Sequence, residues 1–300
     1  MAPSFLSVVS LFAAYIRHCF KAAGLASRTL SVDAQTTMHF WAPIHQSAHK
    51  PSVVLIHGFG LEAIWQWRRQ VQILAPLFNV YVPDLLFFGG STTNSSERSE
   101  VFQAACVGKL LDLLDLERFH VVGTSYGGMV AYNLAQMLGK ERVQKVVIAS
   151  SGVNMTKTDN ADLLQRAQFD HIHQLLLPAT PQHLRKLLSL TVHRPPKILP
   201  NFLLGDFLDK LYAENRKEKM ELLKGLTIGR DSTSNISPLE QEVLIIWGEE
   251  DGIFPVQLAR ELKRVISEKA RLELIKEASH VPQIEKAGEF NNILLNFLKG

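Results

Sequence analysis

Cysteine is nearly missing: only Cys19 and Cys106 occur in 300 residues, far apart and without metal-ligand spacing. A disulfide framework or a thiolate zinc site is therefore not expected, and such sparing use fits a reducing, cytoplasmic setting. There is no basic stripe interleaved with aromatics, and the formal net charge is only +3, so a nucleic-acid partner is not expected. No internal repeat and no low-complexity tract appears. The longest apolar stretch near the start, Phe5 to Ile16, is broken by Arg17, His18 and Lys21. It falls short of the roughly 20 apolar residues a bilayer-spanning helix needs. Its basic residues follow the apolar run, whereas a secretory signal carries them before it. Three readings stay open for it: a helix packed on the body or lying in a membrane interface, a short anchor, or a cleaved leader.

What remains is the composition of a compact globular protein, 46% hydrophobic and 20% charged. The most informative stretch is Gly123-Thr124-Ser125-Tyr126-Gly127, which directly follows Val121-Val122. It has the form G-x-S-x-G, a strand that ends in a sharp turn and re-enters as a helix, with the serine hydroxyl at the sheet's carboxyl edge. Alone, such a pattern is as well explained by an ordinary tight turn. Its company decides otherwise. His57-Gly58-Phe59-Gly60 follows Val53–Ile56, Asp251 follows Val243–Trp247, and His280 follows Leu272–Ile275. A serine, an acid and a histidine thus stand in that order, each just past a predicted strand.

These residues, with Val82-Pro83-Asp84-Leu85 and Gly89-Gly90-Ser91, resemble those of the α/β-hydrolase superfamily. The resemblance runs from about Leu30 to the C-terminus. It is to lid-bearing lipases, esterases and C–C-bond hydrolases, and more finely to plant monoacylglycerol-lipase-like or epoxide-hydrolase-like proteins. It implies an α/β fold with a mostly parallel eight-stranded sheet flanked by helices and a helical lid after the sixth strand. The alternating strand and helix patterns independently imply a parallel sheet covered on both faces. Predicted strands lie at Leu30–Val32, Thr37–Trp41, Val53–Ile56, Val80–Val82, His120–Val122, Val146–Ala149, Val243–Trp247 and Leu272–Ile275. Predicted helices lie at Ile64–Leu74, Val101–Leu114, Met129–Leu138, Val256–Ile266 and Glu289–Leu298.

The chemistry follows from the side chains. A serine hydroxyl needs an adjacent base to act as a nucleophile, and imidazole can take and return a proton near neutrality. Ser125 is the expected nucleophile, His280 the base, and Asp251 the residue that orients the ring. Glu249 and Glu250 are neighbours that compete for the acid role. The backbone N–H groups of Phe59 and Tyr126 are the expected oxyanion donors. His57 is expected to shape the oxyanion loop and Asp84 to buttress a turn. His171 and His173 have the spacing of a metal pair but no further ligand nearby, so no metal is expected, and the chemistry requires no cofactor.

Epoxide hydrolases of this superfamily attack with an aspartate at the elbow and use two lid tyrosines. Here the elbow residue is Ser125, and the interval read as lid contains only Tyr212. That interval, Val153 to Pro238, shows no strand pattern and is rich in leucine pairs and prolines. The expected organisation is residues 1–25 as an N-terminal segment, 26–152 with 239–300 as the core, and 153–238 as the lid. The expected activity is hydrolysis of a carboxylic ester of an apolar, acyl-lipid-like substrate. The alternatives are cleavage of a C–C bond beside a carbonyl, or a triad-retaining ligand receptor with slow turnover. A small apolar ester is the expected partner, with peripheral membrane contact through residues 5–20. Asn94, Asn154 and Asn235 each open an N-glycosylation pattern, which is common by chance.

Overall fold

In a computed structural model, which describes residues 7–196, 198–231 and 236–300, the chain folds around one twisted sheet. Helix α1 (Val8–Ala22) leads into β1 (Leu25–Ser31), β2 (Thr36–Pro43) and β3 (Ser52–Ile56). Then come α2 (Ala63–Leu74), β4 (Asn79–Pro83), β5 (Thr92–Thr93), α3 (Glu100–Leu113), β6 (Phe119–Thr124), α4 (Tyr126–Arg142) and β7 (Val143–Ala149). Between β7 and β8 lie α5 (Lys157–Ala167), α6 (Ile172–Leu176), α7 (Pro181–Thr191), α8 (Asn201–Phe207), a π-helical turn (Leu208–Tyr212) and α9 (Arg216–Gly225). The chain finishes with β8 (Glu242–Gly248), α10 (Val256–Ile266), β9 (Arg271–Ile275), α11 (Pro282–Glu285) and α12 (Ala287–Lys299).

The strand order is β1-β2-β4-β3-β6-β7-β8-β9, with β5 paired to β2. The pairs β1·β2, β2·β4 and β2·β5 are antiparallel, and every pair from β4 to β9 is parallel. Among the described residues nine strands form where eight are predicted from sequence. The extra one, β5, is two residues long and carries no apolar alternation that a sequence pattern could register.

The predicted strands read as continuous apolar runs because both faces are covered. Val53, Leu55, Val122, Val147, Leu244 and Ile246 point into one core with residues of α1, α2 and α12. Their alternates Val54, Ile56, Val121, Val146, Ile148 and Ile245 point into the other, with residues of α3, α4 and α10. This period of two is the pleat. All residues of β3, β4 and β6 are buried, so the sheet's centre is rigid where the site is built. Every parallel strand ends at the same edge, and loops beyond that edge are where such sheets place ligands.

Two expectations concerned the chain's start and its sequons. From Val8 onward the N-terminal run lies in α1, which packs on the body through Val9, Ala13, Ile16, Cys19 and Phe20. Among the described residues no helix is long and apolar enough to cross a membrane. Asn154 is buried and its side-chain amide donates to the Leu258 carbonyl at 3.1 Å, so its sequon is not available for modification. Asn94 is exposed, and Asn235 lies outside the described residues.

Candidate active site

Ser125 sits between the last residue of β6 and the first of α4. Its backbone is left-handed, φ 53° and ψ −122°, a strained conformation for a residue with a Cβ. The flanking glycines make it sterically feasible. A Cβ at Gly123 would lie 2.1 Å from the Gly127 carbonyl oxygen, and one at Gly127 would lie 2.3 Å from that of Ile56. Neither approach is tolerable for any other residue. The turn is locked by three bonds: Ser125 N–H donates to Ala149 O at 2.9 Å, Gly128 N–H to Ser125 O at 2.9 Å, and Ser151 Oγ to Ser125 O at 2.6 Å.

The three side chains read from sequence converge. Ser125 Oγ lies 2.9 Å from His280 Nε2. His280 Nδ1 lies 2.9 Å from Asp251 Oδ2 and 3.1 Å from Oδ1. Asp251 is buried, and its Oδ1 also accepts the N–H groups of Ile253 (2.8 Å) and Phe254 (2.9 Å), which fixes the carboxylate against rotation. That carboxylate favours the tautomer with the proton on Nδ1, leaving Nε2 free to accept from the serine. Glu249 and Glu250 are exposed, and Glu250 instead contacts His193, so neither competes with Asp251 for the ring.

The loop after β3 faces the elbow. Among the described residues neither the Phe59 nor the Tyr126 N–H has an internal acceptor. The Phe59 and Tyr126 rings meet edge to face at 5.9 Å. His57 is fully buried; it accepts from the Leu85 N–H through Nε2 at 2.9 Å, so its Nδ1–H donates to Gly58 O at 2.8 Å. Burial pushes its pKa down, so the ring is neutral and shapes the loop. Asp84 does buttress turns: Oδ1 accepts the Ala63 N–H at the start of α2, and Oδ2 meets His39 Nδ1 at 2.7 Å.

Two features of the site have no sequence motif. Gln66 of α2 grips Gly58 from both sides, accepting its N–H at 2.7 Å and donating to its carbonyl at 3.2 Å. The only hint in the sequence is a polar residue on the apolar face of α2, beside Ala63, Trp67 and Val71. The second is a strap from the end of α7. The Leu190 carbonyl accepts from Gly252 N–H at 3.1 Å and from Ser279 Oγ at 3.0 Å, joining the loops that carry Asp251 and His280. Glu285 doubles this link, accepting from His193 N–H at 2.7 Å and from Ser279 N–H at 2.7 Å.

Ser125 and His280 open into a cavity of about 400 Å³. Its far wall comes from the segment between β7 and β8, including Leu163, Leu176, Leu187, Leu188, Phe207 and Leu223. No Lys, Arg, Asp or Glu lines it among the described residues. Tyr212 also lines it, with burial holding its hydroxyl well above the usual phenol pKa. His171 and His173 stack on one another at 5.4 Å, away from this cavity. Among the described residues no group of three or more side chains is arranged to hold a metal.

The α/β-hydrolase fold family model matches residues 51–287. The chain belongs to the α/β-hydrolase family. It is 29% identical over 263 residues to a 2-hydroxymuconate semialdehyde hydrolase of Pseudomonas sp. (strain CF600), covering 85% of this chain and 89% of that one. It is 25% identical over 268 residues to the monoacylglycerol lipase ABHD6 of Homo sapiens, covering 83% of this chain and 76% of that one. Among solved structures, a bacterial membrane phospholipase A superposes with a TM-score of 0.77 at 22% identity, covering 97% of this chain and 91% of that one. That last likeness is one of fold. The chain is accordingly a hydrolase of the α/β fold, and its relatives include both lipases and C–C-bond hydrolases.

Proposed function

We propose that the protein is a serine hydrolase that cleaves a neutral carboxylic ester with an apolar acyl group, through an acyl-enzyme on Ser125. The observation that carries this reading is the Ser125–His280–Asp251 relay at the wall of an uncharged, leucine-lined cavity. Ser125 Oγ attacks the ester carbonyl as its proton passes to His280 Nε2, and Asp251 stabilises the resulting imidazolium. The Phe59 and Tyr126 N–H groups receive the oxyanion. Collapse breaks the C–O bond, with the Nε2 proton leaving on the alcohol. Water then enters, gives a proton to His280 and releases the acid, restoring the serine. The helices between β7 and β8 act as a lid over the acyl group.

C–C cleavage beside a carbonyl is the second reading, favoured by the likeness to the Pseudomonas enzyme. The muconate named for that relative is a carboxylate. A carboxylate in this cavity would find no lining Lys or Arg among the described residues, and an unpaired buried charge is strongly disfavoured. A neutral acyl chain meets no such penalty. The test is a series of p-nitrophenyl esters from acetate to palmitate beside a vinylogous diketone acid. Turnover that rises with chain length beyond acetate and vanishes in Ser125→Ala is expected. Turnover of the diketone acid but of no ester would overturn the ester reading, and stoichiometric binding without turnover would point to a receptor.

A further inference from the structure

Helix α1 is apolar on two faces, and only one of them is used. Val9, Ala13, Ile16 and Phe20 are buried against the body, whereas Val8, Leu11, Phe12 and Tyr15 form a second stripe at helical spacing that is 44–62% exposed. A helix apolar all round is normally enclosed, so the outer stripe lacks a cover. The stripe extends onto the segment between β7 and β8. Asp206 of α8 accepts from Ser7 Oγ at 2.8 Å and from Val9 N–H at 3.0 Å, pinning the start of α1 beside α8. One helical turn earlier on α8, Phe202 is 76% exposed.

Two further observations say what kind of surface would cover this face. The first is charge. α1 contains no acidic residue, and its last turns present exposed Arg17 and Lys21. From α2, the Arg68 guanidinium lies over the rings of Phe12 and Tyr15 at 5.9 and 5.7 Å, with exposed Arg69 beside it in sequence. Two nearby acids are engaged: Asp206 with the start of α1, and Glu62 with Arg17 at 3.7 Å. An apolar stripe edged by cations matches the acyl and anionic headgroup layers of a phospholipid leaflet. The second is continuity with the cavity. Phe12 contacts Trp65 at 5.7 Å, Trp65 contacts Phe207 at 6.5 Å, and Phe207 lines the cavity of Ser125. An apolar path of aromatic rings thus joins the outer face to the acyl pocket.

We infer that the outer face of α1, with Phe202 of α8, docks the protein onto the surface of an anionic phospholipid bilayer, α1 lying parallel to the membrane plane. The docked face sets the cavity wall beside the acyl phase, so an apolar substrate need not cross water to reach it. The docking does not depend on which bond the site cleaves.

The test is flotation of the full chain with vesicles of phosphatidylcholine alone or mixed with phosphatidylglycerol. Wild type floats, more strongly with phosphatidylglycerol and less strongly as salt is raised. Leu11→Glu, Phe12→Glu and Phe202→Glu each weaken partitioning about tenfold or more. Leu113→Glu, at an exposed apolar position of α3 on the opposite face of the sheet, leaves it unchanged. Arg17→Glu with Lys21→Glu removes the phosphatidylglycerol increment alone. Ser125→Ala floats like wild type, which separates this proposal from the hydrolase reading. Leu11→Ser, a milder change, guards against loss of folding, checked by an unchanged thermal melt. Wild type that stays unbound to both vesicle types would overturn the proposal, as would equal losses in the α1 and Leu113 variants. So would a concentration-dependent dimer abolished by Leu11→Glu, which would assign the face to a second copy.

Discussion

Replacing Gln66 isolates the loop proposed to hold the oxyanion from the rest of the machinery. Its amide grips the N–H and carbonyl of Gly58, one residue before Phe59, and touches neither Ser125 nor His280 by a hydrogen bond. In Gln66→Ala both bonds vanish from a buried position, and the loop loses its clamp on the α2 side. Each neutral hydrogen bond contributes about 1 kcal/mol to stability, so a loss of roughly 2 kcal/mol in folding free energy is expected. The catalytic effect is larger in kind. Removing an oxyanion donor outright lowers turnover about 10²–10³-fold, and a donor that is misaimed but present should lose roughly 10–100-fold. That loss should fall on kcat with KM nearly unchanged, because the oxyanion exists only beyond the ground state. Gln66→Glu sharpens the test. It keeps the acceptor for Gly58 N–H but sets a negative oxygen against the Gly58 carbonyl and near the developing oxyanion, so kcat should fall further than in the alanine variant. Steady-state kinetics on a soluble ester, with chemical denaturation alongside, measures both effects. If Gln66→Ala kept kcat within twofold of wild type, Gln66 would not be what aims the Phe59 N–H.

Other consequences can be measured independently. Glu100 is buried at the start of α3, where its carboxylate accepts from Thr227 N–H, Thr227 Oγ1 and Ile228 N–H just after α9. Glu100→Ala should lose about 3–5 kcal/mol by denaturation and Glu100→Gln only about 1–2, since charged acceptors are worth more and the glutamine keeps an oxygen. His120, buried at the start of β6, has its pKa pushed down to about 4 from 6.5 by burial and by Lys145. The folded state therefore resists protonation that the unfolded state accepts. Its stabilising effect is complete above the unfolded pKa of 6.5 and is lost progressively as pH falls to about 4. The difference is worth roughly 3 kcal/mol, so His120→Leu should flatten the stability profile across that window, and an unchanged slope would remove His120 from the account. Gly127→Ala should abolish activity and destabilise the fold by more than about 3 kcal/mol, because its Cβ would meet backbone oxygens at 2.3 and 2.4 Å rather than a yielding side chain.

The central strands were readable from sequence because they are buried on both faces and so appear as unbroken apolar runs, as in Val53–Ile56 and Val243–Trp247. Their loops were readable because the elbow needs glycines at two fixed offsets from a serine. In sequence, only the Asp-x-x-x-Pro spacing from Asp251 to Pro255, just before the next helix, favours Asp251 over Glu249 and Glu250. The side-chain environment separates them: one carboxylate is buried and accepts two N–H groups of its own loop, and the others face solvent. β5 went unseen because two threonines make no pattern. The Leu190 strap involves a carbonyl, which no residue identity reveals. Gln66 belongs to no motif, and only its contact with Gly58, eight residues earlier, gives it a role. The start of α1 was ambiguous for a physical reason too. One apolar face is buried against the body and the other is exposed, and a sequence window averages over both.

The most direct test of the account is mass mapping of a fluorophosphonate adduct on the full chain. The account requires one adduct per chain, on the peptide carrying Ser125, with none in Ser125→Ala and much slower labelling in His280→Ala. Labelling that persists in Ser125→Ala, or wild type that stays unlabelled while it hydrolyses esters, would contradict the account.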